Sequence, residues 1–287
     1  MQDIGDNEIR FIGGRSRRKK RGLRWLWVAI AFVAVAGIVY LIVQTRKINA
    51  AVETYIESEL PMSELQVSDE SVQWKSNADP SQPSCVEVYD TIVDGMHLRI
   101  YTPYNTLPEL HIGMLDTTDS DIILTTMAAD LRLDNGKIVG AFVMAGEPMS
   151  WGQSKRGYCA IINGCISIGS AENSPLFEQS TEQGGYFFRQ YAAVANGVAV
   201  ANKPQNASYR RALCVLDGMV CMVRCTDRVL MNDFSEALVD LGVSEAILLV
   251  GGNADGWCRT SDGKLDYFGI LPAKEAEYMN YIVFRKQ

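Results

Sequence analysis

AILLVGGNADGW, residues Ala246–Trp257, carries an apolar run into a pair of glycines and then turns polar. Five apolar residues, Ala246 to Val250, have the composition of a buried strand. The run before it has the pattern of a short amphipathic helix. Phe234, Ala237, Leu238 and Leu241 recur at i, i+3, i+4 and i+7. Asp233 and Glu236 have the spacing of an N-cap and its N3 partner, and Gly242 stands where a left-handed turn ends a helix. After the strand, Gly251 and Gly252 lead to Asn253, Asp255, Trp257 and Arg259. A helix, a buried strand and a glycine turn that delivers polar groups to the strand end is one way to build a site on a sheet. The same residues also describe a plain αβ unit closed by a tight turn.

Upstream, Asx-Gly pairs mark hairpins at Asp94-Gly95, Asn163-Gly164, Asn196-Gly197 and Asp217-Gly218. Asn135-Gly136 precedes the apolar run Lys137 to Met144. Strands are expected at Val86–Val93, Met96–Tyr101, Leu110–Leu115, Ile122–Thr126 and Tyr186–Val194, with a last one at Tyr278–Arg285. A short helix is expected to start at Ser174-Pro175. The turns are too irregularly spaced for a propeller. This pattern predicts an α+β class: a strand-rich, mixed-sheet domain with few helices.

The N-terminal region differs in character. Residues 1–24 hold eight Lys/Arg against three Asp/Glu, whereas the remainder is strongly acidic within a total net charge of −7. An acidic body argues against nucleic acid as a partner. Residues 25–43, WLWVAIAFVAVAGIVYLIV, are uncharged and would span about 28 Å as a helix. Seven basic residues between Arg15 and Arg24 precede the run and only Arg46 and Lys47 follow closely, which predicts a cytoplasmic N-terminus. A cleaved signal peptide is the rival, but Val43-Gln44-Thr45 makes a poor cleavage site. The expected layout is a basic cytoplasmic tail (1–24), a single-pass transmembrane helix (25–43), a stalk and linker (44–84) with an edge strand near Val72–Trp74, and an extracytoplasmic domain (85–287).

Seven cysteines cannot all pair within one chain. Cys214 and Cys221 would face each other across Asp217-Gly218, a separation that permits a disulfide. Cys159 and Cys165 would point to opposite faces of their hairpin. The two histidines, His97 and His111, fall in separate strands, and no ligand spacing suggests a metal. No nucleotide or haem signature is present, so no cofactor is expected.

The order of motifs resembles the phosphodiester glycosidase family over roughly residues 120–285. Ser208-Tyr209-Arg210-Arg211-Ala212-Leu213-Cys214 is similar to the family's Arg-Thr-Ala-x-Gly strand, with Arg210 and Ala212 matching and Cys214 in place of glycine. The helix at 233–241 and the turn at 246–254 follow in family order. Gly251 and Gly252 match the family's Asn-Leu-Asp-Gly-Gly-Gly-Ser turn, but Val250 stands where the family has Asp, and Asn253 and Ala254 where it has Gly and Ser. The family's first loop, Asn-Gly-Gly-Phe-Phe, would fall near Thr126–Asp130, which lacks its asparagine and both glycines.

The resemblance implies a membrane-anchored hydrolase of sugar-1-phosphodiesters in a cell-envelope glycan. It places substrate binding at Arg210, Gly251, Gly252, Asn253 and Trp257, and catalytic carboxyls at Asp255 or Asp130. An arginine fork suits phosphate oxygens, a carboxyl suits the anomeric carbon, and glycines admit an anion to backbone N–H groups. Arg189 and Arg259 would add positive potential. Each residue also has a plain reading: a strand arginine, turn-forming Asn and Asp, a packed tryptophan. Valine transfers no proton, so Val250 leaves open a catalytically inactive relative that binds an envelope glycan or protein, or a structural subunit.

Overall fold

The computed structural model describes residues 73–75, 77–270 and 277–287. The chain divides into two units, Met1–Gln66 and Val67–Gln287, and every described residue lies in the second. The expected tail and transmembrane helix, and most of the stalk, lie outside the described residues. Among the described residues no helix is long and apolar enough to cross a membrane.

The strands are β1 (Gln73–Lys75), β2 (Cys85–Val93), β3 (Met96–Tyr104), β4 (Thr106–Ile112), β5 (Ile122–Met127), β6 (Phe142–Met144), β7 (Glu147–Ser150), β8 (Gly157–Ile162) and β9 (Cys165–Ser170). Helix α1 (Leu176–Glu182) precedes β10 (Tyr186–Gln190), β11 (Ala192–Ala195), β12 (Val198–Ala199), β13 (Ser208–Leu216) and β14 (Met219–Val229). Helix α2 (Met231–Asp240) leads to β15 (Val243–Leu248), β16 (Gly256–Arg259), β17 (Leu265–Tyr267) and β18 (Asn280–Lys286). They form three sheets, ordered β1-β9-β8-β10-β6-β7, β12-β11-β15-β13-β14-β3-β2 and β17-β16-β5-β18-β4.

The domain is strand-rich α+β, as its sequence predicts, but the sheets are not mixed. Among the described residues every strand pairing within them is antiparallel, and the one parallel bridge joins Asn77 to Tyr104. The turns explain this. Asp94-Gly95, Asn163-Gly164, Asn196-Gly197 and Asp217-Gly218 all take positive φ at both residues, the type I′ geometry that folds a strand back on its neighbour.

The largest apolar cluster includes Tyr101, Leu213 and Met222 of the seven-stranded sheet and Ile161, Leu124 and Ile282 of the other two. The opposite face of the seven-stranded sheet buries Phe234 and Leu238 of α2 against Ala212, Cys214 and Val223. Helix α2 begins two residues before the expected Asp233, because Met231 is drawn into that core; Asp233 sits in the first turn, where the helix dipole still favours it. Gly242 has φ +98 and ends the helix as expected. The strand at 246–250 is displaced toward the N-terminus, and Leu249 and Val250 leave the sheet.

Two further departures bear on function. The single strand expected at 186–194 is two strands, β10 and β11, which belong to different sheets; the chain crosses between them at Tyr191. Residues of the expected linker are tied into the body: β1 pairs with β9, and buried Asn77 donates to the Pro103 and Val220 carbonyls at 2.8 Å each.

Candidate functional site

Two loops meet where β15 ends. The Val250 N–H donates to the Met127 carbonyl at 3.2 Å, and the Met127 N–H donates to the Asp255 carbonyl at 3.2 Å. Asn280 holds the first loop from below. Its side-chain oxygen accepts from the Ala129 N–H at 2.7 Å, and its amide donates to the Ala129 carbonyl at 3.1 Å. This places Asp130 at the end of a fixed backbone segment.

Asp130 Oδ2 accepts from Lys155 Nζ, which also donates to Gln190 Oε1 at 2.7 Å. The ammonium lies 4.8 Å from the centre of the Tyr191 ring. The two partners differ in access: the Lys155 side chain is 9% exposed and that of Asp130 is 39% exposed, so the pair opens to solvent through the carboxylate. Burial pulls the Lys155 ammonium below the ordinary lysine range, and Asp130 opposes that shift. Lys155 itself sits at φ +69, a backbone conformation rare for a non-glycine residue.

Arg189 holds that conformation. Its guanidinium donates to the carbonyls of Lys155 (3.2 Å), Ala171 (2.8 Å) and Glu172 (2.7 Å). Its charge is spent on backbone and adds nothing to an open pocket. Gln190 and Tyr191 come from the crossing between β10 and β11. Gly157 admits that crossing, since a Cβ there would meet the Gln190 carbonyl oxygen and the Ala192 nitrogen at 2.5 Å.

The other residues singled out in the sequence fall elsewhere. Arg210 points to the end of β14, where it donates to the Val229 carbonyl at 3.4 Å and to the Asn206 carbonyl. A Cβ at Gly251 would run into the Tyr209 carbonyl, which also accepts from the Gly252 N–H at 2.8 Å. These glycines seat the turn on β13. Asn253 is exposed, and its carbonyl accepts from the Ile270 N–H at 3.0 Å. Asp255 is buried and accepts from the Tyr281 hydroxyl at 3.2 Å; burial raises its carboxyl above the usual range. Trp257 is 0% exposed, packed with Tyr281 and Val283, and presents no face for stacking on a sugar. Arg259 caps the carbonyls of Ile122, Thr117 and Asp119 and lies over the Trp257 ring at 5.4 Å.

Of the two candidate carboxyls, then, only Asp130 stands at an accessible site, and no local motif marks Lys155, Gln190 and Tyr191 as its neighbours. Among the described residues no group of three His, Cys, Asp or Glu side chains is placed to hold a metal. His97 pairs with Asp227 at 2.9 Å at the surface. All seven cysteines are free thiols, and Cys214 faces Cys221 in register as the hairpin predicts.

No family model matches the chain, and no curated protein matches it. Among solved structures it is similar to the catalytic domain of zebrafish N-acetylglucosamine-1-phosphodiester alpha-N-acetylglucosaminidase, auto-inhibited by its pro-peptide. The identity is 12% and the TM-score 0.52, over 75% of this chain and 88% of that one. A hypothetical protein from Synechocystis aligns with 12% identity and a TM-score of 0.48, over 70% of this chain and 62% of the other. The first likeness establishes a distantly shared fold.

Proposed function

We propose that this chain is a glycosidase-like hydrolase of sugar-1-phosphodiesters in an envelope glycan. Residues 25–43 anchor it, with the N-terminus cytoplasmic and the C-terminal domain extracytoplasmic. The observation that carries the reading is the junction of the 127–130 and 249–255 loops beside the half-buried Asp130–Lys155 pair, in a fold shared with a phosphodiester-cleaving domain.

The chemistry follows from what the pair offers. Glycoside cleavage ordinarily uses two carboxyl groups, one as acid and one as base or nucleophile. Here Asp130 alone is accessible. A phosphate leaving group relaxes the requirement, because it departs as a stabilised anion and needs charge neutralisation more than a proton. Lys155 supplies that charge, Gln190 fixes the ammonium, and Tyr191 shields one side of it. Asp130 remains to act at the anomeric carbon, as base toward water or as nucleophile. Arg189 is a positioning residue for Lys155.

Val250, in place of the family's aspartate, favours a second reading: a relative that binds such a glycan without cleaving it. The test is release of free sugar from a panel of sugar-1-phosphodiesters by the full chain in detergent. Turnover that Asp130→Asn abolishes supports the hydrolase. Absent turnover, with saturable binding that Lys155→Met weakens, moves the conclusion to the binder. Neither turnover nor binding, or turnover untouched by either substitution, rejects both.

A further inference from the structure

Three arginines stand side by side across the seven-stranded sheet. Arg211 of β13 is in register with Arg224 of β14, and Arg224 with Arg99 of β3. They share the face that carries Leu213, Met222 and Tyr101 two residues further along, so their guanidinium groups point toward the main core. Like charges directly opposite one another on a sheet repel and require counter-charge.

Only one end of the row has it. Arg99 is forked to Asp90 at 2.7 and 2.9 Å and reaches Asp266 at 3.4 Å. Arg211, almost fully buried, donates to Thr126 Oγ1 at 3.0 Å and to the Phe268 carbonyl at 2.9 Å, and among the described residues no carboxylate lies within ion-pair range of it. Asp255 acts on it only from a distance. Arg224, partly exposed, has no ion pair among the described residues. The Phe268 ring lies 5.1 Å from the Arg211 guanidinium and 5.5 Å from that of Arg224, a cation–π contact that offsets part of the repulsion but satisfies no N–H.

Two buried donors point the same way. Among the described residues the Arg211 Nε–H has no acceptor, and the Tyr101 hydroxyl, which lies beside the Arg224 guanidinium, has none for its own proton; the Tyr101 ring is 5.2 Å from that of Phe268. Buried donors beside a buried unpaired cation and its half-exposed neighbour lack one thing, an acceptor that carries negative charge. Desolvation, reinforced by Arg224, lowers the proton affinity of Arg211 to about 10, as expected of a guanidinium short of counter-charge.

We propose that Arg211 and Arg224 hold a phosphate-class oxyanion, with the Tyr101 hydroxyl as a further donor. Planar guanidinium forks match such an anion, and the partly exposed Arg224 gives it entry. The anion is either free inorganic phosphate or the phosphate of a larger ligand. None of these residues belongs to the Asp130–Lys155 site, so the proposal stands or falls separately from the hydrolase reading.

The test is calorimetric titration of inorganic phosphate into the full chain in detergent, at constant ionic strength. In Lys155→Met, which removes the phosphate contact of the Asp130–Lys155 site, one saturable site is expected, weakened by about tenfold or more when Arg224→Met is added and by several-fold when Tyr101→Phe is added. In phosphate-free buffer Arg224→Met is expected to melt no lower than the parent, because it removes an uncompensated charge. A methyl sugar-1-phosphodiester titrated in parallel into Lys155→Met separates the sources: tighter binding than phosphate assigns a ligand-borne group, equal or weaker binding the free ion. Absence of binding in Lys155→Met, or undiminished binding when Arg224→Met is added to it, overturns the proposal. Should Arg224→Met fail to fold, undiminished affinity in Tyr101→Phe does so instead.

Discussion

Gly157→Ala is the substitution that most sharply probes how the site is built. The added Cβ would lie 2.5 Å from both the Gln190 carbonyl oxygen and the Ala192 nitrogen, and 2.8 Å from the Tyr191 carbonyl carbon. All three are backbone atoms, so no side chain can swing aside. An ordinary contact begins at 3.4 Å, which obliges β8 and the β10–β11 crossing to part by roughly 0.9 Å. Overpacking of this kind costs about 1–3 kcal/mol, and a strained β8–β10 hydrogen bond adds about 1. We expect a loss of roughly 2–4 kcal/mol in urea unfolding. The crossing also carries Gln190, whose Oε1 holds Lys155 Nζ at 2.7 Å, so the variant should lose more activity than its residual folded fraction explains. A misplacement near 1 Å costs on the order of a hundredfold in rate. Gly95→Ala is the control: its Cβ meets nothing within 4 Å, and only the positive φ penalises it, by about 1–2 kcal/mol. If Gly157→Ala unfolds within about 0.5 kcal/mol of the parent, the close approach argued here is refuted.

Three other outcomes follow from the same contacts. Arg189→Met should destabilise by about 2–4 kcal/mol in chemical denaturation and release the strained Lys155 backbone, seen as faster amide exchange at 154–157, because several part-buried carbonyls lose a charged donor. Lys155 has a folded proton affinity below its unfolded value near 10.5, so the unfolded chain binds the extra proton; the parent should gain stability relative to Lys155→Met as pH rises through the window up to about 10.5, and a falling difference would contradict this. A thiol reagent at pH 8 should label the half-buried Cys85 and Cys165 of the folded chain first. The buried Cys214 and Cys221 should react only after unfolding, since burial raises both thiols, that of Cys221 to about 12; mass spectrometry of the labelled peptides checks the order.

The sequence was informative where local chemistry alone sets the backbone. An Asx-Gly pair between apolar runs specifies a type I′ turn wherever it lies, and the four hairpins appear where it predicts them. The helix face around Phe234 and Leu238 was likewise legible, because its burial follows from its own spacing. Side-chain direction was harder, since it depends on pairing. A bulge between Tyr209 and Arg211 turns Arg210 toward the end of β14 and Arg211 into the core, and nothing in the local sequence says which arginine does which. Pairing of β16 with β5 puts Trp257 on a buried face for the same reason. The break at Tyr191 was hidden because no glycine, proline or Asx-Gly pair marks it. Lys155 lies in a polar loop, SWGQSKRG, that reads as an ordinary connection; its meaning comes from Asp130 and Gln190, 25 and 35 residues away.

Whether the two loops at the end of β15 form a ligand site is decided most directly by hydrogen exchange of the full chain with and without a saturating sugar-1-phosphodiester. Slowed exchange is expected at 127–132, 153–157 and 249–253 together, and loss of that protection in Lys155→Met. Protection confined to other segments, or none at a concentration that binds, would contradict it.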